Sequence, residues 1–442
     1  MVVNTSNKKF LIIPLVFGVL FSLLYFKLPL NYFIAIFLGF AVAIVTLYDV
    51  KFGIMASIFA LPYLPDMLSL IFMIFVMAAF LYNKFVKDSY NKGNVLTKHP
   101  IDVPIALYVL IIIIATITSI DPVGSFRDLA IHLVSIGFSF VIINSIKNKK
   151  DLNMVLVTIV ATATLVSLFG IFQHRFGVTM EEGWIDKASN PDLIARVFSV
   201  FGNPNIMAEY LIMIIPISLA LFWDTRKFTK KIFFLIITLI LTIGLLLTYS
   251  RGGWVGFAFS IFFFIFLVEK RLLLLAIPLV LLSLYFLPPS IMNRIMTIGK
   301  LTDSSNFSRL KIWEVTLEII KENWMIGVGF GYLPFKQVFD SKTTMGMQHS
   351  HNTYLEVLVE LGIGGFIIFT LLIFLFYKFG IKKLSSEEDR YTKIMLAGVL
   401  SGISALLVHG LADNVLYMPR IIITFWTVMS FASVMIRTSK SR

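Results

Sequence analysis

The chain has 442 residues, of which 58% are apolar and 14% are charged, and its mean hydropathy is +0.89. This composition excludes a disordered chain, which is polar, and a soluble domain, about a quarter of whose residues are charged. The net charge of +13 could suggest a nucleic-acid partner, but nucleic-acid binders gather their cations on a soluble face. We therefore predict a polytopic membrane protein that binds no nucleic acid.

Apolar runs recur along the whole chain. They lie at 10–27, 31–49, 51–65, 66–84, 103–120, 125–146, 151–174, 205–224, 231–249, 251–268, 271–287, 351–378, 393–412 and 421–436. A membrane helix needs about 20 apolar residues, so we predict an all-α fold of about 12–14 transmembrane helices. The third run is short and contains Pro62 and Pro65, which fits a bent or re-entrant segment. No small-residue cleavage site follows the first run, so we expect it to be retained.

The lysines and arginines predict the orientation. If the N-terminus is cytoplasmic and the runs alternate, most of the 38 cations fall in inner segments and the outer segments are nearly neutral. The C-terminus is then also cytoplasmic. Two outer segments are long, 175–204 and 288–350, and we expect the chemistry there because loops often carry function.

The loop 288–350 contains a predicted amphipathic helix over 306–323. Its apolar residues recur at spacings of 3, 4 and 3, and they are Leu310, Trp313, Leu317 and Ile320. Ser305 or Asn306 can cap this helix. We expect it to lie flat on the outer membrane surface with its apolar side down. The glycine-rich segment 327–332 that follows is read as a tight turn, because no βαβ context supports a dinucleotide site.

The loop ends in two histidines, His349 and His351, directly before a membrane helix. Histidine is the usual general base near neutral pH, although two histidines can also simply lie at a helix start. Asn352, Glu356 and Glu360 follow at intervals of four and share one helix face. A carboxylate at the depth of Glu360 is a functional candidate, or else it pairs with an arginine.

Three arginines stand out in the outer segments: Arg196, Arg251 and Arg309. Arg251 lies in a tight turn between two apolar helices, where it either extends to lipid headgroups or grips phosphate oxygens. Asn203 and Asn205 after Arg196 can cap the next helix, but capping does not explain the arginine. The three arginines and a histidine could converge on an anion that arrives from the membrane.

These residues resemble the O-antigen ligase and polymerase family of bacterial envelope enzymes. The match is carried by His351 and Asn352, nine residues, and then Gly362-Ile363-Gly364-Gly365, which is similar to the family signature. The turn at 250–252, the stretch 196–205, and Arg309 followed by Trp313 resemble its other landmarks. Family members usually have about twelve spans, so a count of fourteen puts the pair within 51–84 in doubt.

The resemblance implies a GT-C-like fold that works without a metal or another cofactor. It implies that His351 is the catalytic base and that Arg196, Arg251 and Arg309 bind the diphosphate of a polyprenyl-diphosphate-linked glycan. By their positions, Asn352, His349 and Glu360 are further substrate-site candidates. His349 is either a second proton carrier or a loop residue, and Asn352 either orients the histidine or caps the helix. The acceptor is a glycan, lipid or protein hydroxyl, and polysaccharide assembly proteins are possible partners. We expect N-terminal membrane helices in 1–174, the catalytic region in 175–378 and C-terminal membrane helices in 379–442. The enzyme is then expected in the bacterial cytoplasmic membrane, with its active site on the outer face.

Two other functions remain open at this point. A polysaccharide transporter or flippase predicts polar residues deep in several helices, whereas the unusual polar residues here cluster at the outer edge. A non-catalytic scaffold for polysaccharide assembly needs no histidine. If the protein is an enzyme, its sequence does not distinguish a ligase from a polymerase.

Overall fold

The computed structural model describes Tyr25, Lys27 and residues 29–87, 96–179, 195–300 and 303–438. The regular structure of these residues is entirely helical, which confirms the all-α prediction. The helices are α1 (Leu30–Tyr48), α2 (Val50–Ala60), α3 (Asp66–Tyr82), α4 (Asp102–Ile117), α5 (Pro122–Ser145), α6 (Lys149–Phe176), α7 (Pro204–Asp224), α8 (Phe228–Leu247), α9 (Arg251–Glu269), α10 (Leu273–Tyr285), α11 (Pro289–Met296), α12 (Ser304–Asn323), α13 (Tyr332–Lys342), α14 (Thr353–Ser386), α15 (Arg390–His409) and α16 (Pro419–Thr438). The predicted first run, 10–27, lies almost wholly outside the described residues.

Nine of the described helices are long and apolar enough to cross a membrane, which confirms a polytopic membrane protein. They are α1, α3, α5, α6, α7, α8, α14, α15 and α16. The run predicted at 51–65 forms only the 11-residue helix α2, followed by a turn that contains Pro62. Because a straight span needs about 20 residues, α2 is too short to cross by itself.

The centre of the bundle is formed by α7, α15 and α16, whose apolar windows are 78%, 78% and 89% buried. Two glycines explain the close approach of α15 to α7. A Cβ at Gly402 would lie 2.2 Å from the Met213 carbonyl oxygen, and one at Gly398 would lie 2.8 Å from the Pro216 carbonyl oxygen. Small residues spaced by four let membrane helices pack backbone to backbone. At the periphery, α1 and α8 are only 6% and 17% buried.

Helix α14 is interrupted at Gly362, whose φ of +64° leaves the helical range. The glycine-rich turn before α13 lies against this break. Val328 N donates to Val359 O at 2.8 Å, and Ile363 N donates to Trp324 O at 2.8 Å. The turn therefore satisfies backbone groups that the break frees, as a broken membrane helix requires.

The loop between α11 and α14 folds into its own small core. The helix predicted over 306–323 is present as α12, and its cap is Asp303, whose carboxylate accepts from Asn306 N, instead of Ser305 or Asn306. The predicted apolar row is split: Ile320 is buried, whereas Leu310 and Leu317 are about half exposed. The buried face contains Ile312, Ile319 and Ile320, and it packs in one apolar cluster with Phe335, Phe339 and Val359.

Candidate functional site

One end of the bundle, which we call the site end, gathers the starts of α7, α9, α12, α14 and α16. A cavity of about 390 Å³ opens there, and it contains the three arginines predicted from the sequence. Arg196 comes from the segment before α7, Arg251 from the start of α9 and Arg309 from α12. A fourth arginine, Arg294 of α11, also lines it. We call this space the arginine cavity.

Arg251 is fixed by a buried ion pair. Its Nη2 lies 2.8 Å from Asp303 Oδ1, and its Nη1 donates to the carbonyl oxygen and Oγ1 of Thr297, both at 3.2 Å. The alternative that Arg251 extends to lipid headgroups is therefore wrong. Burial alone would raise the pKa of Asp303, but the hydrogen bond and charge of Arg251, the Asn306 N–H and the charge of Arg294 together lower that pKa. The same carboxylate oxygen caps α12, so one acid holds two walls of the cavity together.

Arg196 is positioned by the backbone of a neighbouring helix end. Its Nε donates to Thr248 O at 2.9 Å, and its Nη2 donates to Asn205 Oδ1 at 2.8 Å. Burial, together with the charges of Arg294 and the other cavity arginines, lowers the pKa of Arg196 to about 9. The side chain is still charged at neutral pH. The cavity therefore concentrates positive charge where water is scarce, and such a site favours an anion.

Arg294 and Arg309 complete the wall. Arg294 Nε donates to Tyr249 O at 3.4 Å, and Tyr249 lies two residues before Arg251. Arg309 Nη1 donates to Ser305 Oγ at 2.9 Å, while its buried Nε has no hydrogen-bond partner among the described residues. Burial lowers the pKa of Arg309 as well. A buried donor without a partner is available to a ligand oxygen.

His351 lies beside the arginine cavity and is oriented by an acid. Its Nδ1 is 2.9 Å from Asp413 Oδ1, and its side chain is 28% exposed. Asp413 lies in the connection between α15 and α16 and is buried. Although burial alone would raise the pKa of Asp413, the nearby His351, His349 and Arg309 hold it well below its usual range. A carboxylate on Nδ1 leaves Nε2 as the ring nitrogen that can take a proton.

A hydrogen-bond chain joins the histidine to the cavity. Asn205 Nδ2 donates to Asp413 Oδ2 at 3.1 Å, while Asn205 Oδ1 accepts from Arg196. Asn203 caps α7, as predicted, by accepting from Asn205 N. Asn205, predicted as a second capping candidate, instead lies between an arginine of the cavity and the acid that orients His351.

The backbone is strained at this end of the molecule. Among the described residues, three non-glycine residues have a positive φ: Ser199 (+52°), Tyr249 (+51°) and His351 (+52°). Tyr249 precedes the turn that carries Arg251, and Ser199 follows Arg196 closely. Such conformations cost about 1–3 kcal/mol each and concentrate at functional sites.

The other predicted site residues lie around His351 and not in the arginine cavity. Asn352 caps α14 by accepting from Tyr354 N and Leu355 N, and its Nδ2 donates to Leu411 O. The His349 ring contacts the His351 ring with centroids 4.2 Å apart. Burial lowers the pKa of His349 to about 3, so this ring is neutral at physiological pH.

The two glutamates of α14 are buried, and each supports a neighbouring segment. Glu356 Oε2 accepts from Ser350 N at 2.6 Å, which fixes the residue before His351. Glu360 lies one turn further on, accepts a hydrogen bond from the Gly331 backbone and interacts with Glu356. The structure therefore places Glu360 at the helix break, away from the residues that line the arginine cavity.

Two sets of side chains among the described residues bring ligand-type atoms within 4.8 Å of one another. They are His349, His351 and Asp413, and Glu209, His409 and Asp413. Both sets use Asp413, whose Oδ1 bonds His351 and whose Oδ2 bonds Asn205. Any ion at either set would therefore share the Asp413 oxygens with these two hydrogen bonds.

Comparison with known proteins finds a family match in this part of the chain. Residues 235–370 match the model of the family described as O-antigen ligase. This part of the chain is therefore similar to the O-antigen ligase family. The matched range contains Arg251, Arg294, Arg309 and His351, and it confirms the resemblance seen in the sequence. Arg196 and Asp413 lie outside the matched range, but the fold places them next to matched residues at the site end.

A second comparison finds a related bacterial protein. The chain is 29% identical over 206 residues to a protein of Haemophilus influenzae that is described as uncharacterized. The match covers 41% of this chain and 52% of that protein, so the chain spans about half the length of the curated relative it matches. The family match supports glycan transfer of the O-antigen ligase or polymerase type in general.

Proposed function

We propose that the protein transfers glycan from a polyprenyl-diphosphate donor to an acceptor hydroxyl at the outer face of the bacterial cytoplasmic membrane. The observation that carries this proposal is the hydrogen-bond chain from Arg196 through Asn205 and Asp413 to His351. It links a buried, strongly positive cavity to an oriented histidine. The cavity suits an anionic leaving group, and the histidine suits a nucleophile that must lose a proton.

The proposed step forms one bond and breaks one. His351 Nε2 takes the proton of the acceptor hydroxyl, and that oxygen attacks the anomeric carbon of the donor. The bond from this carbon to the diphosphate oxygen breaks, and the polyprenyl diphosphate leaves with the electron pair. Asp413 stabilises the imidazolium that forms. A single displacement of this kind inverts the anomeric centre.

The arginine cavity supports the departure of the diphosphate. Charge-assisted hydrogen bonds are about twice as strong as neutral ones, and preorganised charges are often the largest catalytic contribution. Asp303 holds Arg251 in place, and the Thr248 carbonyl oxygen and Asn205 hold Arg196. The guanidinium groups therefore need little reorganisation when negative charge develops on the diphosphate. We propose no metal for this step.

Purified protein with a lipid-diphosphate-linked glycan and acceptor membranes tests the proposal. We expect transfer without an ion gradient, which pure transport does not give. His351→Ala should lower the rate about 10²- to 10⁴-fold, the usual contribution of a general base. Arg251→Lys should also be strongly impaired, because lysine cannot replace the planar fork. His174→Ala and Arg226→Lys, at exposed positions, are the matched controls. Normal transfer in both site variants contradicts the proposal and leaves the transporter or scaffold.

A further inference from the structure

A continuous row of rings extends from His351 away from the arginine cavity. The His349 ring lies 4.7 Å from the Tyr417 ring, and the Tyr417 ring lies 6.0 Å from the Tyr332 ring at an interplanar angle of 89°. The guanidinium of Arg127 lies 5.8 Å from the Tyr332 ring centroid. The Tyr417 hydroxyl donates to Gln348 Oε1. We call Arg127, Tyr332, Gln348, His349 and Tyr417 the aromatic strip.

The strip is assembled from separate parts of the chain. Arg127 lies near the start of α5, Tyr332 begins α13, His349 precedes α14 and Tyr417 precedes α16. The three rings are half-buried, and Arg127 and Gln348 are exposed. Tyr332 is held by its backbone, since Tyr332 N donates to Asp128 Oδ2 at 3.3 Å. The rings therefore form an ordered, accessible surface beside the proposed base.

Resting on the function proposed above, we propose that the aromatic strip binds the sugar that carries the acceptor hydroxyl. In a displacement the attacking oxygen and the leaving oxygen lie on opposite sides of the anomeric carbon. The leaving diphosphate occupies the arginine cavity, and none of the strip residues lines that cavity. An acceptor that reaches His351 must therefore come from another side, and the strip lies directly against His351.

The chemistry of the strip suits a sugar better than a second anion. Aromatic rings offer flat apolar faces for the C–H groups of a sugar, while tyrosine keeps a polar end for its hydroxyls. Gln348, beside Tyr417, and Arg127, beside Tyr332, add exposed hydrogen-bonding groups. The cavity, by contrast, presents four arginines. The low pKa of His349, about 3, keeps its ring neutral, so the strip has one permanent positive charge, on Arg127.

Truncating the rings tests this assignment with two readouts. The first is transfer from the lipid-diphosphate-linked glycan to acceptor membranes, and the second is binding of inorganic diphosphate to the purified protein. We expect Tyr417→Ala and Tyr332→Ala to lower transfer about tenfold or more, the scale found when large aromatic contacts are removed. Diphosphate affinity should change less than twofold. Tyr417→Phe should lower transfer less than Tyr417→Ala does, because it keeps the flat ring and loses only the hydroxyl.

The control is Tyr285→Ala, an 85% exposed tyrosine at the end of α10, which should change neither readout. Full transfer in both strip variants, with His351→Ala inactive, overturns the acceptor site and leaves the proposed function intact. Equal losses of transfer and diphosphate affinity overturn it too, since the strip then serves the donor. If His351→Ala keeps full activity, the proposed function itself fails.

Discussion

The arginine cavity and the turn that carries His351 (residues 348–352, the histidine turn) belong to one site but are built by opposite means. Arg196, Arg251 and Arg294 are buried and Arg309 is partly buried. Each arginine has protein partners: carbonyl oxygens, Asn205, Ser305 or Asp303. The histidine is partly exposed and rests on a backbone with positive φ. Burial strengthens the attraction between the cavity and an anion. Exposure gives the histidine access to a hydroxyl and to water.

This difference indicates which substitutions should impair each part. The cavity takes its charge from four arginines with separate partners, so the substitution of one arginine leaves three to hold an anion. The histidine turn depends on a single orienting acid, Asp413, and on Glu356, which fixes Ser350. Variants of these two parts should therefore differ in the size of the effect and in which substrate they impair.

The largest effect is expected at the orienting acid. Asp413→Asn replaces the carboxylate on His351 Nδ1 by an amide and favours the wrong tautomer, so we expect transfer to fall about 10²- to 10⁴-fold. Inorganic diphosphate should still bind, because the arginines remain. The control is Asp340→Asn at an exposed ion pair on α13. A loss of less than threefold would show that the acid does not orient the base.

Asp413 is not among the site residues predicted from the sequence. It lies 62 residues after His351, and its neighbours Ala412 and Asn414 read as an ordinary turn. The position that singled out Arg251, a charge in a short connection between apolar helices, is shared by Asp413. The sequence pattern predicted the membrane helices and α12, but it could not predict the packed face of α12. This face of α12 packs on α14. The spacing of residues within α12 does not show which distant helix lies against it.

The next effect concerns the stability of the cavity wall. Asp303→Asn leaves Arg251 buried without its counter-charge, so we expect a loss of about 3 kcal/mol of unfolding free energy. Thermal unfolding in detergent measures it. Added inorganic diphosphate should stabilise the variant more than the wild type, since the anion replaces the lost charge. Asp121→Asn, a partly exposed acid of another cap, is the comparison.

The pH dependence of the same variant has a defined sign. The folded-state pKa of Asp303 is lowered, so the ion pair contributes fully above the unfolded-state pKa of about 3.9. Its contribution is lost as the pH falls through the lower folded-state value. The stability difference between wild type and Asp303→Asn should therefore be constant near neutral pH and shrink only in strong acid. A difference that already disappears at pH 6 would refute the buried pair.

A smaller effect is expected at Gly362, where α14 is interrupted. Gly362→Ala places a Cβ 2.3 Å from the Met325 carbonyl oxygen at a φ of +64°. We expect a loss of about 2 kcal/mol, from left-handed strain and the shift that the contact forces. Gly364→Ala is a close control, because no atom lies within 4 Å of its added Cβ. Equal unfolding temperatures for the two variants would contradict the described break.

The smallest effect is expected at Arg294, which separates charge from geometry within the cavity. Arg294→Lys keeps the positive charge but loses the planar donor set, so diphosphate affinity should fall about tenfold. Because the cavity arginines also stabilise the charge that develops on the departing diphosphate, the rate at saturating donor should fall as well, but far less than in Asp413→Asn. Arg271→Lys, at an exposed position after α9, should change neither quantity. Unchanged affinity together with an unchanged saturated rate would show that Arg294 does not act on the diphosphate.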